Sequence, residues 1–165
     1  VNVESLPIAE LHFDPVNARV HPDPNLKAIA ASLARFGQQK PIVVDTKNVI
    51  RAGNGLVEAA HTLGWQTIQA VRSELQGTEA TAFAIADNRT AELARWDEEI
   101  LAKTLGALQA ENFPTEAVGF TDEEITELLD RLEVPEFLPD TIDGQSQLDE
   151  KAKVTCPECG HEFRP

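Results

Sequence analysis

Apolar residues fall along the chain in two rhythms, and the change from one to the other marks out the elements. Val1, Val3, Leu6, Ile8, Leu11 and Phe13 alternate loosely with polar neighbours, which predicts a short strand and then a turn or single helical turn at a sheet edge. Pro15, Pro22 and Pro24 break the next stretch, since each disfavours helix in the residue before it, and leave a loop whose notable cation is Arg19. Asn25 is placed to cap a helix with Leu26, Ile29, Leu33 and Phe36 on one face, and Gly37 supplies a left-handed stop. The apolar run Pro41–Val44, the polar Asp45–Asn48 and then Val49–Ile50 read as a hairpin. Its second strand enters Gly53-Asn54-Gly55, and a helix at roughly 55–63 follows, closed by Gly64.

Thr67–Val71 is a further strand, and Gly77 with Thr78 opens a long alanine-rich helix that Phe83 and Ile85 should anchor. Asp87-Asn88-Arg89-Thr90 either interrupts that helix or continues it with a polar face. Asp97 is set to cap a helix carrying Ile100, Leu101, Leu105 and Leu108, and Thr121 with Glu124 forms a capping box for a last helix bearing Ile125, Leu128, Leu129 and Leu132. From Val134 to Lys153 the periodicity vanishes among prolines and acids, so this stretch is expected to be an acidic linker.

Length and charge narrow the picture. A chain of 165 residues suffices for one ordinary domain plus a small appendage. Acidic residues outnumber basic ones 28 to 14, for a formal charge of -14, so the chain repels nucleic acid and anionic lipid unless its cations gather on one face. The first nine residues hold no basic or long apolar segment and no run of eighteen apolar residues occurs, so export and membrane contact are not expected. A reducing cytoplasm is the expected setting.

Two places carry candidate chemistry. At the Gly53 turn, the glycines permit positive φ and close backbone approach, while the free N–H groups and dipole of the next helix favour an anion such as phosphate; a tight turn without a ligand fits the same residues. In the tail, Cys156-Pro157-Glu158-Cys159-Gly160-His161 is a zinc-knuckle half-site. Cys156, Cys159 and His161 are its candidate ligands, and closure needs more: a second chain's pair in a homodimer, or His12, His21 or an acid of the same chain. A dithiol switch and two idle cysteines are the alternatives.

Four blocks in order, Asn17-Ala18-Arg19, Gly37–Val44, Ile50–Gly55 and Asp87-Asn88-Arg89, resemble the ParB N-terminal domain over roughly residues 3–97, in particular its phage and methyltransferase-associated branch. The resemblance implies an α+β, ParB/sulfiredoxin-like fold: a small mixed sheet with helices and a nucleotide-phosphate site at the glycine turn, here followed by a helical extension and the zinc-knuckle tail. Expected divisions are 1–97, 98–133, 134–153 and 154–165. In partition proteins of the family the turn reads Gly-Glu-Arg-Arg and helps bind CTP with magnesium; this chain keeps Gly53 but has Asn54, Gly55 and Leu56 after it. Sulfiredoxins have Gly-Cys-His-Arg there, so their chemistry is excluded. The family's later motif is echoed by Asp87-Asn88 with Arg89, which keeps an acid for magnesium and a cation for phosphate. The family's helix-turn-helix DNA reader is not evident after residue 97, where no basic recognition face shows.

Three functions follow as expectations. The first is a ParB-like module in DNA metabolism that binds a nucleoside triphosphate with magnesium and meets DNA directly or through a partner. In it Gly53, Asn54, Gly55 and Leu56 hold phosphate by backbone N–H, Arg19 and Arg89 offset charge, and Asp87 or Asn88 positions magnesium. The second is a nuclease or NTPase in which Asp87 or Glu58 activates a water or hydroxyl. The third is a non-catalytic adaptor whose acidic surface engages a basic partner.

Overall fold

The computed structural model describes residues 2–132, 154–155 and 162–163. The chain forms two compact units, Val1–Pro135 and Glu136–Pro165. In the first, strands β1 (Val3–Pro7), β2 (His12–Phe13), β3 (Ile42–Val44), β4 (Val49–Ala52) and β5 (Thr67–Arg72) make one sheet in the order β1-β5-β3-β4-β2. β1 runs antiparallel to β5 and β3 antiparallel to β4, whereas β3 with β5 and β2 with β4 are parallel, so the sheet is mixed. The two strand pieces of residues 1–13 take its opposite edges, joined by a 3-10 turn at Ile8–Glu10.

Helices α1 (Asp23–Phe36) and α2 (Asn54–Thr62) pack on each other and cover the sheet. Leu33, Val57, Ala59 and Ala60 meet Ile42, Val44, Ile50, Ile68 and Ala70 in one core. Each fully buried aliphatic side chain there contributes about 1.5–3 kcal/mol relative to exposure. α1 starts two residues ahead of the expected cap: Pro22 is the N-cap and Pro24 sits in the first turn, where its missing N–H costs no hydrogen bond. Asn25 instead meets the His21 ring, Oδ1 to Nδ1 2.8 Å. Gly37 does end the helix, at φ 69°, its N–H bonded to Leu33 O at 2.9 Å.

α3 (Gly77–Leu93) runs unbroken through Asp87–Thr90. Of its two expected anchors Phe83 is half-buried, but Ile85 is corrected, being 58% exposed, and Ala80 is the helix's buried residue. α4 (Glu98–Ala110) and α5 (Asp122–Leu132) face each other across Ala102, Leu105, Ile125 and Leu128, a second core separate from that of the sheet. Both expected caps form: Asp97 Oδ1 accepts Ile100 N–H at 3.1 Å, and Thr121 and Glu124 exchange bonds of 2.8 and 3.1 Å. A 3-10 turn at Thr115–Val118 joins these helices and packs on α1, where the Phe36 and Phe113 rings stack 6.0 Å apart.

In the second unit β6 (Val154–Thr155) pairs antiparallel with β7 (Glu162–Phe163). The expected linker and the candidate ligands Cys156, Cys159 and His161 lie outside the described residues.

Candidate functional site

β4 delivers the chain to Gly53, which adopts φ 94° and ψ 25° and caps α2 without help from any side chain. A Cβ at Gly53 would come within 2.7 Å of Ile42 Cγ2, so both conformation and space require glycine. The N–H groups of α2's first turn have no partner four residues back, and the positive end of the helix dipole lies among them. Asn54 Oδ1 is buried there with no hydrogen-bond partner. Leu56, where a cation would assist an anion, packs against the sheet core instead.

His21 is the residue that sequence reasoning assigned elsewhere, as an alternative zinc ligand. Its ring lies over Gly55, with Cε1 and Nδ1 each 2.7 Å from where a Cβ at position 55 would stand. Gly55 is therefore the only residue type that admits the imidazole to the start of α2. The small residue in a helix's first turn was the available signal, but the ring comes from another part of the chain.

A buried ion cluster holds these loops. Arg51, two residues before Gly53, reaches Asp14 Oδ2 at 2.5 Å with one guanidinium nitrogen and Asp45 Oδ2 at 2.8 Å with another. The three side chains are 16%, 6% and 9% exposed. Asp45 Oδ1 also accepts the N–H groups of Lys47 and Val49, at 2.8 and 3.0 Å. Burial pushes the Asp45 carboxyl upward, but the bonds from Val49 N–H, the Arg51 guanidinium and Lys47 N–H outweigh it and hold its pKa below the ordinary carboxylate value. Arg51 is raised, chiefly by its hydrogen bond to Asp45. Asp14 opens the loop that bears Arg19 and His21, so one arginine ties that loop and the hairpin turn to the strand entering Gly53.

The polar stretch of α3 faces the same loop. Asn17, Arg19, Asn88, Arg89 and Glu92 line a cavity of about 220 Å³ together with Ala18, Ala84 and Ile85. Asn17 fixes the loop by bonding Arg19 N–H and Arg19 O, both at 3.1 Å. The Arg19 guanidinium pairs with Glu92, which Arg89 also approaches at 3.4 Å. Two cations thus share one carboxylate, leaving an excess positive charge that suits an anion. Arg19, Asn88 and Arg89 line one cavity, and Glu92 is the counter-ion that sequence reasoning missed. Asp87 is exposed on α3 and does not line this cavity, and Glu58 lines a different one, beside His61 and Trp65. Gly53, Asn54, Gly55 and Leu56 line neither. Among the described residues no group of three or more His, Cys, Asp or Glu is arranged to hold a metal.

A five-stranded mixed sheet with an uncapped glycine turn into a helix, followed by a packed helix pair, defines an α+β protein of the ParB/sulfiredoxin type. The model of the ParB N-terminal domain matches residues 1–89, and the chain belongs to that family. The ParB-methyltransferase HTH domain matches residues 99–158, which corrects the expectation that no helix-turn-helix follows residue 97. The acidic exterior of α5, with Asp122, Glu123, Glu124, Glu127 and Asp130, had concealed it. Nucleoid occlusion proteins of Bacillus cereus and Bacillus anthracis are 26% identical over 94% of the chain, which spans 56% of their length. The fold is also that of a chromosome-partitioning ParB from Caulobacter crescentus, solved C-terminally truncated with CTP-gamma-S: TM-score 0.70, 19% identity, 82% of this chain and 81% of that one.

Proposed function

We propose that this chain is a nucleotide-binding ParB-family module that works in DNA metabolism and holds phosphate at the Gly53-Asn54-Gly55 turn. The observation that carries the reading is α2's first turn, uncapped by any side chain and entered through a glycine at φ 94°. Backbone N–H groups of residues 54–56 would take the phosphate oxygens, with His21 beside them and the Arg19–Arg89 pair as a second cationic arm. Magnesium would need few protein ligands, because the phosphates and water fill most of its shell; Asn88 or Asp87 is the candidate. The partitioning protein of the same fold was solved with a CTP analogue, which makes CTP the first nucleotide to try.

The helix pair α4 and α5 is proposed as the DNA-facing part, supported by the helix-turn-helix match, and that match also supports the methyltransferase-associated branch. DNA contact through a basic partner is the alternative, consistent with the acidic α5. In the tail, where β6 pairs with β7 on either side of the segment holding Cys156, Cys159 and His161, the proposal is a zinc knuckle shared between two chains, since one chain's pair of cysteines leaves the site short of ligands.

Calorimetric titration with CTP, ATP and GTP, with and without magnesium, tests the central reading. Saturable binding of at least one, lost on Gly55→Val, is expected. Absence of binding by all three, or unchanged affinity in a folded Gly55→Val variant, refutes it.

A further inference from the structure

A well-formed cavity lies apart from the Gly53 turn, none of whose residues line it. It has a volume of about 580 Å³ and sits between the 3-10 turn after β1, the edge strand β2 and the outer face of α2. Leu11 and Val57 are buried in its wall, while Phe13, 55% exposed, and Trp65 contribute aromatic surface. Glu58 and His61, one helical turn apart on α2, line it as well. Glu58 makes no ion pair among the described residues, as holds for other exposed acids such as Glu10, Glu79 and Asp87, but it alone of these lines an apolar cavity beside two aromatic rings.

An apolar pocket with two aromatic rings and one unpaired carboxylate selects for a cation on an apolar stem. The stem of an arginine or lysine covers carbon surface while its head seeks the carboxylate and the ring faces. A site of this kind also fits a chain of formal charge -14, whose long-range field draws basic partners. The neighbouring backbone indicates how such a side chain arrives. β2 ends the sheet and is paired on one side, by β4, so its outer edge is open among the described residues to an added strand. In an extended segment residues two apart point the same way, and the cavity is roomy enough for two neighbouring side chains.

We propose that this cavity is a docking site for an extended segment of a basic partner protein, taking one arginine or lysine side chain against Glu58, Phe13 and Trp65 and an apolar side chain two positions along. The site is independent of the nucleotide reading, since its lining residues are not those of the Gly53 turn or of the Arg19–Arg89 cavity.

Trp65 and Trp96 are the chain's two tryptophans, so Trp96→Phe leaves Trp65 as the sole indole reporter. The whole chain carrying Trp96→Phe is titrated with the capped pentapeptide Ala-Arg-Ala-Leu-Ala, and with the same peptide bearing glutamate or leucine in place of arginine. The expected result is a saturable change in Trp65 emission with the arginine peptide, with at least about tenfold weaker binding of both controls. Glu58→Gln should weaken the arginine peptide about tenfold, and Ala9→Phe, which fills the cavity from its exposed rim and adds no second indole, should abolish binding while the far-ultraviolet circular dichroism stays native. No saturable response up to about 10 mM arginine peptide overturns the proposal, as does equal binding of the glutamate peptide or full affinity in Glu58→Gln. Preference for the leucine peptide would mark a purely apolar pocket and overturn the cation assignment.

Discussion

Replacing Arg51 with methionine keeps most of the side-chain volume and removes both of its ion pairs at once. Asp14 and Asp45 would then be left with side chains 6% and 9% exposed and no ion pair, although the Arg72 guanidinium still bonds the Asp45 main-chain oxygen at 2.6 Å. Removing one partner from a buried ion pair costs about 3–5 kcal/mol, because the remaining charge has lost its water and gains nothing in return. Asp45 keeps its bonds from Lys47 and Val49 N–H and Asp14 its bond from Val16 N–H, which places the expected loss nearer about 3 kcal/mol. Against a total stability of about 5–15 kcal/mol, that is a large fraction. Urea unfolding followed by circular dichroism measures it directly.

The pH dependence supplies an independent check with a defined sign. Asp45 has its folded pKa depressed below its unfolded value. Its contribution is therefore fully present above the unfolded value of 3.8 and is lost as pH falls through the depressed folded value. In Arg51→Met the hydrogen bond and the Coulombic attraction from Arg51 are both gone while burial, which raises the pKa, remains. The folded pKa then rises towards or past the unfolded one, so the variant loses less stability on acidification than the parent and acid recovers some of its deficit. A loss below about 1 kcal/mol, with an acid limb superimposable on that of the parent, would refute the view that Arg51 clamps the two loops.

Other perturbations read other parts of the fold. Gly53→Ala forces a Cβ to 2.7 Å from Ile42 in a left-handed conformation and should cost about 1–3 kcal/mol in thermal or chemical unfolding; a neutral result would show that the turn can relax. Thr121→Ala removes the capping-box acceptor for Glu124 N–H and should cost about 1 kcal/mol while nucleotide affinity stays unchanged. Glu92→Gln frees Arg19 and Arg89 from their shared carboxylate and should tighten nucleotide binding in calorimetry, whereas Arg19→Ala and Arg89→Ala should weaken it; unaltered affinity in all three would remove this cavity from the site. Elemental analysis with sedimentation tests the tail: one zinc per two chains, with dissociation on chelation or in Cys159→Ser, is expected, and one zinc per monomeric chain excludes the shared knuckle.

What the sequence determined by itself was whatever depends on near neighbours. The β3–β4 hairpin, the Gly37 stop, the Asp97 cap and the Thr121–Glu124 box all close within a few residues, so residue type and spacing suffice to specify them. The start of α1 was missed because Pro24 is tolerated in a first helical turn as readily as it is excluded from a later one. Four ordered blocks also pointed to the family that the match over residues 1–89 then showed. The helix-turn-helix match was not anticipated because charge was read as a clue to DNA contact, and the acids of α5 do face solvent while α4 and α5 are joined by their apolar faces.

Only the tertiary structure decided which distant residues meet. Arg51 is 37 residues from Asp14, and Arg19 is 73 residues from Glu92. No periodicity relates such pairs, because side-chain rhythm specifies a face of an element and not the element opposite it. The His21 ring over Gly55 has the same origin: a glycine in a helix's first turn shows that something approaches closely, but the fold alone supplies the imidazole. Sheet order acts likewise, placing β1 and β2, close in sequence, on opposite edges and thereby opening the cavity beside Phe13. Local rules determined the parts of this protein, and the burial of two separate apolar cores determined which of its charges stand together.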